Sequence, residues 1–438
     1  MSKNEEPAKQ MQISSKPTGL NDMPMEVLGM ICEHLSPVYL KQFRLTNKKN
    51  AQAATRYLFQ KLYITFCSDS YNNVIKISKD ENLSRLVHEI VWDLREIQGA
   101  LTNEFEFMLH FDIALDGMDY TQCKAFREVH HKLYGSQCSL KAALNVNMDA
   151  YVKSLREALQ KFTVNRISMI QSGFPKNNIL LPLRLESGML YRHGTWSLPF
   201  YLYGRRTQHA VGNWPIKVAL QCLVPCRKLF IMTYSGNFNT INALLAVGPH
   251  LRSSLPHIHR LEITLFSHHP GPYNWSNKGE IHARPRTIDS NRYCTQLESL
   301  DLGFIDCSEP DPTYALTHFK VARFGATMLP VNKEAYFPNL RILILEGFWM
   351  PVPEFVIFLR RHASTLQKVY VRRTFFMFGY LGEILEVMRE TRMRIENGCF
   401  DDVMDNSWLR VVFHKITVKE DQLLDYVAGN GPNPCPRP

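Results

Sequence analysis

The sequence predicts an α/β protein: a small N-terminal unit of three helices, followed by an irregular solenoid in which short strands alternate with helices. Three observations predict this. Residues 20–66 pack three helix patterns into fewer than fifty positions. From Phe59 onward a strand pattern, apolar-x-x-apolar-x-apolar, recurs nine times. Several intervals between its copies carry an apolar stripe at helical period.

The first helix is read from Pro24, whose fixed φ and missing N–H suit a first helical position. Glu26 lies in the first turn, where a negative charge complements the helix N-terminus. Val27, Leu28, Ile31 and Leu35 follow as an apolar stripe. Ser36 and Pro37 restart the pattern as cap and first residue of a second helix. That helix carries Leu40, Phe43 and Leu45, with Asn47 as its stop. A third, alanine-rich pattern over 48–59 offers Ala51, Ala54, Tyr57 and Leu58. So short a segment cannot bury all these side chains internally, and apolar surface left over faces a partner. The segment therefore reads as a docking module; the alternative is a helical cap that buries them against its own chain.

Residues 20–59 resemble the F-box, the helical module that tethers receptors to a cullin–RING ubiquitin ligase. The marks are Leu20, Met23-Pro24, Glu26, Val27-Leu28, Ile31 and Leu35, then Leu40, Leu45 and Asn47-Lys48-Lys49. The resemblance implies that Leu20, Met23, Pro24, Glu26, Val27, Leu28, Ile31, Leu35, Leu40 and Leu45 form the adaptor-binding set. Met25 and Asn50 depart from the family pattern, which often has an acidic residue and an aromatic there.

Behind this module the strand pattern begins at Phe59-x-x-Leu62-x-Ile64, Val87-x-x-Ile90-x-Trp92 and Val164-x-x-Ile167-x-Met169. It continues at Cys226-x-x-Leu229-x-Ile231, Ile258-x-x-Leu261-x-Ile263 and Leu297-x-x-Leu300-x-Leu302. The last copies are Leu340-x-x-Leu343-x-Leu345, Leu366-x-x-Val369-x-Val371 and Trp408-x-x-Val411-x-Phe413. Alternation at the end of each copy directs alternate side chains to one face of a strand. The pattern is similar to the strand grammar of leucine-rich repeats, in which each unit pairs a strand with a helix. Spacing is uneven, from 26 residues (343 to 369) to 77 (90 to 167). An irregular leucine-rich-repeat-like solenoid is therefore predicted rather than a regular horseshoe, with a separate mixed α/β domain as the alternative. Helices are predicted between copies, for example over 353–362 and 381–393. One repeat cannot bury its own apolar face, so the units must stack.

The domain reading is a disordered leader over 1–17, the helical module over 18–60, the repeat body over 61–428 and a disordered tail over 429–438. The body carries a helical insert over 97–161, with helices at 103–115, 121–133 and 149–162, the last capped by Asp149. Loops are predicted at 172–217 and 268–292. The second holds Trp275, Arg284 and Arg286, residue types that dominate recognition surfaces, and these are the expected substrate-binding residues. Packing of the solenoid ends is the alternative use of such loops.

Composition limits the function classes. At 45% hydrophobic and 11% aromatic residues, the 438-residue chain is globular. No run of about eighteen uncharged apolar residues predicts a membrane helix. Ten dispersed cysteines follow no disulfide or zinc spacing and read as reduced thiols. The net charge is +10, from 51 basic and 41 acidic residues, but the cations are scattered, which does not predict nucleic-acid binding. Asp401, Asp402 and Asp405 read as an acidic turn. No Gly-rich phosphate loop, nucleophile elbow or His-Glu-x-x-His pair is present, so no catalytic residue, metal or cofactor is expected. Taken whole, the chain resembles a fungal-type F-box protein with a degenerate leucine-rich-repeat body. That implies a non-catalytic substrate receptor in the cytoplasm and/or nucleus, whose partners are an adaptor, through it a cullin, and a target protein. A non-degradative scaffold is the alternative.

Overall fold

The structure, a computed structural model, describes residues 19–35, 37–94, 120–170, 214–234, 251–267, 294–306, 336–405 and 416–435. The chain divides into two compact units, Met1–Lys61 and Leu62–Pro438.

In the first unit a single 3₁₀ turn, Leu20–Asp22, precedes helices α1 (Met25–His34), α2 (Pro37–Arg44) and α3 (Lys48–Gln60). Pro24 is the residue before α1 rather than its first residue; its ψ of 153° is extended and delivers the chain into the helix. Asn47 does not stop α2, which ends at Arg44. It caps α3 instead, its side-chain oxygen accepting the Asn50 N–H at 2.7 Å, which satisfies one of the orphan donors of a helix start. The core is Leu28, Cys32, Leu40, Ala53, Ala54 and Leu58. Two of these are alanines, so α1 and α3 approach closely: a Cβ added at Gly29 would stand 3.2 Å from the Tyr57 hydroxyl. The buried stripe of α1 is thus Leu28 and Cys32, four apart, while Val27 faces solvent.

The second unit is built on one twelve-stranded, mostly parallel sheet. Its strands are β1 (Lys61–Thr65), β2 (Glu89–Asp93), β3 (Arg166–Ile170), β4 (Lys228–Tyr234), β5 (Arg260–Ser267) and β6 (Ser299–Asp306). The rest are β7 (Ile342–Glu346), β8 (Trp349–Pro351), β9 (Lys368–Arg372), β10 (Phe375–Met377), β11 (Asn397–Asp405) and β12 (Ile416–Val418). From β1 to β7 each strand neighbours the next in sequence, followed by β9 and β11, with β12 antiparallel on β11. The sequence pattern and the register coincide. The middle apolar residues Ile90, Ile167, Leu229, Leu261, Leu300, Leu343 and Val369 stand directly side by side. So do Trp92, Met169, Ile231, Ile263, Leu302, Leu345 and Val371, and every member of both rows is buried.

A second repeated device sits just before each strand. The His88 carbonyl accepts the N–H groups of both Asn165 and Arg166, and the Asn165 carbonyl those of Arg227 and Lys228. The same pairing recurs through Arg227, His259, Glu298, Arg341 and Gln367. Backbone groups entering the sheet are thereby satisfied without any particular side chain, which is why the entrance residues vary so freely. At the other end the sixth position of three neighbouring strands turns left-handed: Gly347 (φ 78°), Arg373 (φ 48°) and Asp402 (φ 53°). β8 and β10 continue β7 and β9 beyond this kink, and in β11 it forms a bulge.

Eight α-helices among the described residues accompany the sheet: α4 (Ser68–Lys79), α5 (Glu81–Ser84), α6 (Tyr120–Leu159), α7 (Trp214–Gln221), α8 (Leu251–Ser254), α9 (Val352–His362), α10 (Leu381–Glu390) and α11 (Glu420–Val427). The helices expected over 121–133 and 149–162 are joined by a helical stretch whose buried Leu140 and Leu144 form the missed stripe. The break lies at Asn147 (φ −152°, ψ 70°), and Asn147, not Asp149, caps the second half by accepting the Ala150 N–H at 3.1 Å. The loop expected over 172–217 ends earlier, because Trp214 and Pro215 open α7, where proline is favoured. The expected acidic turn at 401–405 is strand. Residues 429–435, expected as disordered tail, fold back after Gly429 (φ 83°), and a Cβ added at Gly382 would lie 2.4 Å from the Cys435 carbonyl oxygen. The leader 1–17, the helix 103–115, the strand copy at Trp408, and the loop 268–292 with Trp275, Arg284 and Arg286 lie outside the described residues.

Candidate functional site

Two surfaces stand out. The first is on the helical unit. Nine large hydrophobic residues are exposed among the described residues, and five belong to this unit: Leu20 (47%), Val27 (38%), Met30 (64%), Tyr39 (61%) and Leu45 (81%). Scattered exposed apolar residues are ordinary on a protein surface; their concentration on so small a unit is the informative point. Val27 and Met30, three residues apart, share one side of α1.

The ten residues of the expected adaptor-binding set fall into three groups. Leu20, Pro24, Glu26, Val27 and Leu45 are exposed. Met23, Ile31 and Leu35 are half-buried. Leu28 and Leu40 are buried and hold the unit's own core, so their side chains are spent on packing. Met30 and Tyr39 lie outside the expected set; both are apolar residues off the helical stripe, where periodicity gives no signal. Asn50 is buried, its Nδ2 donating to Thr46 Oγ1 at 2.8 Å.

The second surface is the face of the sheet carrying the odd-numbered strand positions. In β5 and β6, Glu262 and Asp301 stand side by side in register. Arg260 approaches Glu262 at 3.4 Å. Burial, then the neighbouring Glu262 charge, pushes the Asp301 carboxyl up to about 6, against the opposing pull of Arg260 and Arg372. Farther along, the Arg372 guanidinium lies 5.7 Å from the centre of the Tyr370 ring, the Tyr370 hydroxyl donates to Asn397, and Arg373 pairs with Glu346. This face mixes half-buried aromatic and aliphatic groups with both signs of charge, a composition suited to binding another protein.

Because the Asp301 carboxyl titrates higher when folded than its ordinary 3.8, its stability contribution is greatest below pH 4 and is lost as pH rises through about 6. Asp301→Asn is therefore expected to raise the melting temperature at pH 8, with the gain vanishing by pH 4. A rise from 3.8 to about 6 is equivalent to ~3 kcal/mol in full; solvent screening of this partly open group reduces that to about 1 kcal/mol. Scanning calorimetry at both pH values checks the sign.

Burial pushes the Cys222, Cys226 and Cys294 thiols up to about 12, which makes them poor nucleophiles. Among the described residues no group of three His, Cys, Asp or Glu could hold a metal ion. Nor is any described helix long and apolar enough to cross a membrane. Compared with known proteins, the chain matches no family model, and a search of curated proteins finds no match.

Proposed function

We propose that this chain is the substrate-receptor subunit of a cullin–RING ubiquitin ligase. In this reading the N-terminal helices are an F-box that docks on the ligase adaptor. The sheet unit is an irregular leucine-rich-repeat-like solenoid that holds a target protein. One observation carries the reading: a three-helix unit closes its own core on Leu28, Cys32, Leu40, Ala53, Ala54 and Leu58 yet leaves Leu20, Val27, Met30, Tyr39 and Leu45 outside it. The order of Pro24, Glu26 and the apolar positions supports the family assignment. The stacked register of parallel strands in near chain order supports the repeat body. Ubiquitin transfer would then need no catalytic residue in this chain, because the ligase's other subunits supply it.

The test is capture of the adaptor from lysate by the tagged full chain. Val27→Asp with Leu45→Asp alters only exposed positions, so the fold is expected to persist while adaptor recovery falls at least about tenfold, the equivalent of ~1.4 kcal/mol. Unchanged recovery rejects the docking assignment. Copurifying cullin with ubiquitin-transfer activity separates a ligase receptor from a scaffold that binds the adaptor alone.

A further inference from the structure

A row of exposed cations crosses three neighbouring strands. Arg166, Lys228 and Arg260 are the first residues of β3, β4 and β5 and stand directly beside one another in the parallel register. Neighbouring strands lie ~4.8 Å apart, so the backbone brings three positive charges within about 10 Å. All three side chains are exposed, as is Arg227 just before Lys228. Deeper on the same face of the sheet Ser168 and Phe230 are buried, which puts the row at the solvent rim where the strands begin.

Like charges directly opposed in a sheet repel. The outer members of the row are offset: Arg166 approaches Glu89 at 3.7 Å and Arg260 approaches Glu262 at 3.4 Å. The centre is not. Neither Lys228 nor Arg227 has an ion pair among the described residues. Among the described residues the row thus carries an electrostatic cost that an anionic ligand would remove.

We propose that this row is the seat of an acidic segment of the target protein, whose carboxylates pair with Lys228 and Arg227. The word target rests on the receptor reading above; the site itself does not. Two cations without an ion pair among the described residues, flanked by Glu89, Glu262 and Glu298, match a few discrete carboxylates. A continuous row of backbone phosphates would be repelled by those same flanking carboxylates. An extended acidic segment presents side chains to one side about every 6.8 Å, within reach of flexible Lys and Arg side chains at that rim.

The experiment uses the full chain and a fluorescent synthetic peptide of alternating glutamate and alanine, read by anisotropy. Lys228→Glu is expected to weaken binding at least about tenfold while Lys228→Arg retains it. Glutamate between two arginines relieves the repulsion, so the variant's melting temperature stays level or rises. Lys76→Glu, at an exposed position of α4, makes the same change in net charge and is expected to alter affinity less than about twofold, as for an isolated surface charge. The proposal is overturned by unchanged peptide affinity in Lys228→Glu, or by an equal loss in Lys76→Glu, which would mean net charge alone. Tighter binding of a single-stranded oligonucleotide, lost in Lys228→Glu, would also overturn it. Adaptor capture by Lys228→Glu is measured in parallel, so a failed docking reading and a failed acidic seat give different results.

Discussion

Gly398→Ala is expected to destabilise the sheet unit by about 3 kcal/mol and to lower its melting temperature by roughly 5 °C. The glycine is the second residue of β11, beside Val369 of β9. A Cβ there would stand 2.4 Å from the Val369 carbonyl oxygen and 3.2 Å from Leu423 Cδ2. The first neighbour is backbone and cannot rotate away, so β9 and β11 would have to separate and α11 lift. Thermal unfolding followed by circular dichroism measures the loss. An unchanged midpoint would mean that the sheet and α11 are not packed as tightly as the register requires.

His362→Leu is the second large effect. This ring is buried at the C-terminal end of α9 and makes two hydrogen bonds with opposite polarity. The Phe337 N–H donates to Nε2 at 2.9 Å, which fixes the proton on Nδ1, and Nδ1–H donates to the Phe358 carbonyl at 2.8 Å. Leucine fills similar space but leaves the buried Phe337 N–H unsatisfied and removes the side-chain hydrogen bond to the Phe358 carbonyl, costing about 1–3 kcal/mol. Burial lowers the pKa of the imidazole, Arg361 lowers it further, and the Phe358 carbonyl pulls the other way. A group held neutral in the fold contributes stability that is present above its unfolded pKa near 6.5 and lost as pH falls below it. The difference in melting temperature between wild type and variant should therefore be large at pH 8 and shrink toward pH 5. A difference independent of pH would show that the ring is not held neutral.

Much of the architecture was legible because its signal is burial with a fixed period. The strand copies from Leu62 to Val371 were readable since alternate residues of each pack into one apolar layer, and the register sets those same residues side by side. β11 was not, because Gly398 stands in register where the other strands carry the middle apolar residue of the pattern, and it has no side chain to detect. In the helical unit, three helices could be read from proline and cap residues, but the buried faces could not. Cys32 and Ala53 score weakly as apolar residues, and Val27 scores strongly while facing solvent. The face of the sheet bearing Glu262, Asp301 and the Arg166–Lys228–Arg260 row was invisible to the sequence pattern. Those residues occupy the positions the repeat leaves unconstrained, and only the register makes them neighbours.

The most direct test of the receptor reading is a calorimetric titration of purified full-length chain with the purified cullin adaptor. One-to-one binding with Kd below about 1 μM is expected, abolished by Val27→Asp with Leu45→Asp at unchanged melting temperature. No heat of binding to the wild-type chain, or equal binding by the double variant, would contradict it.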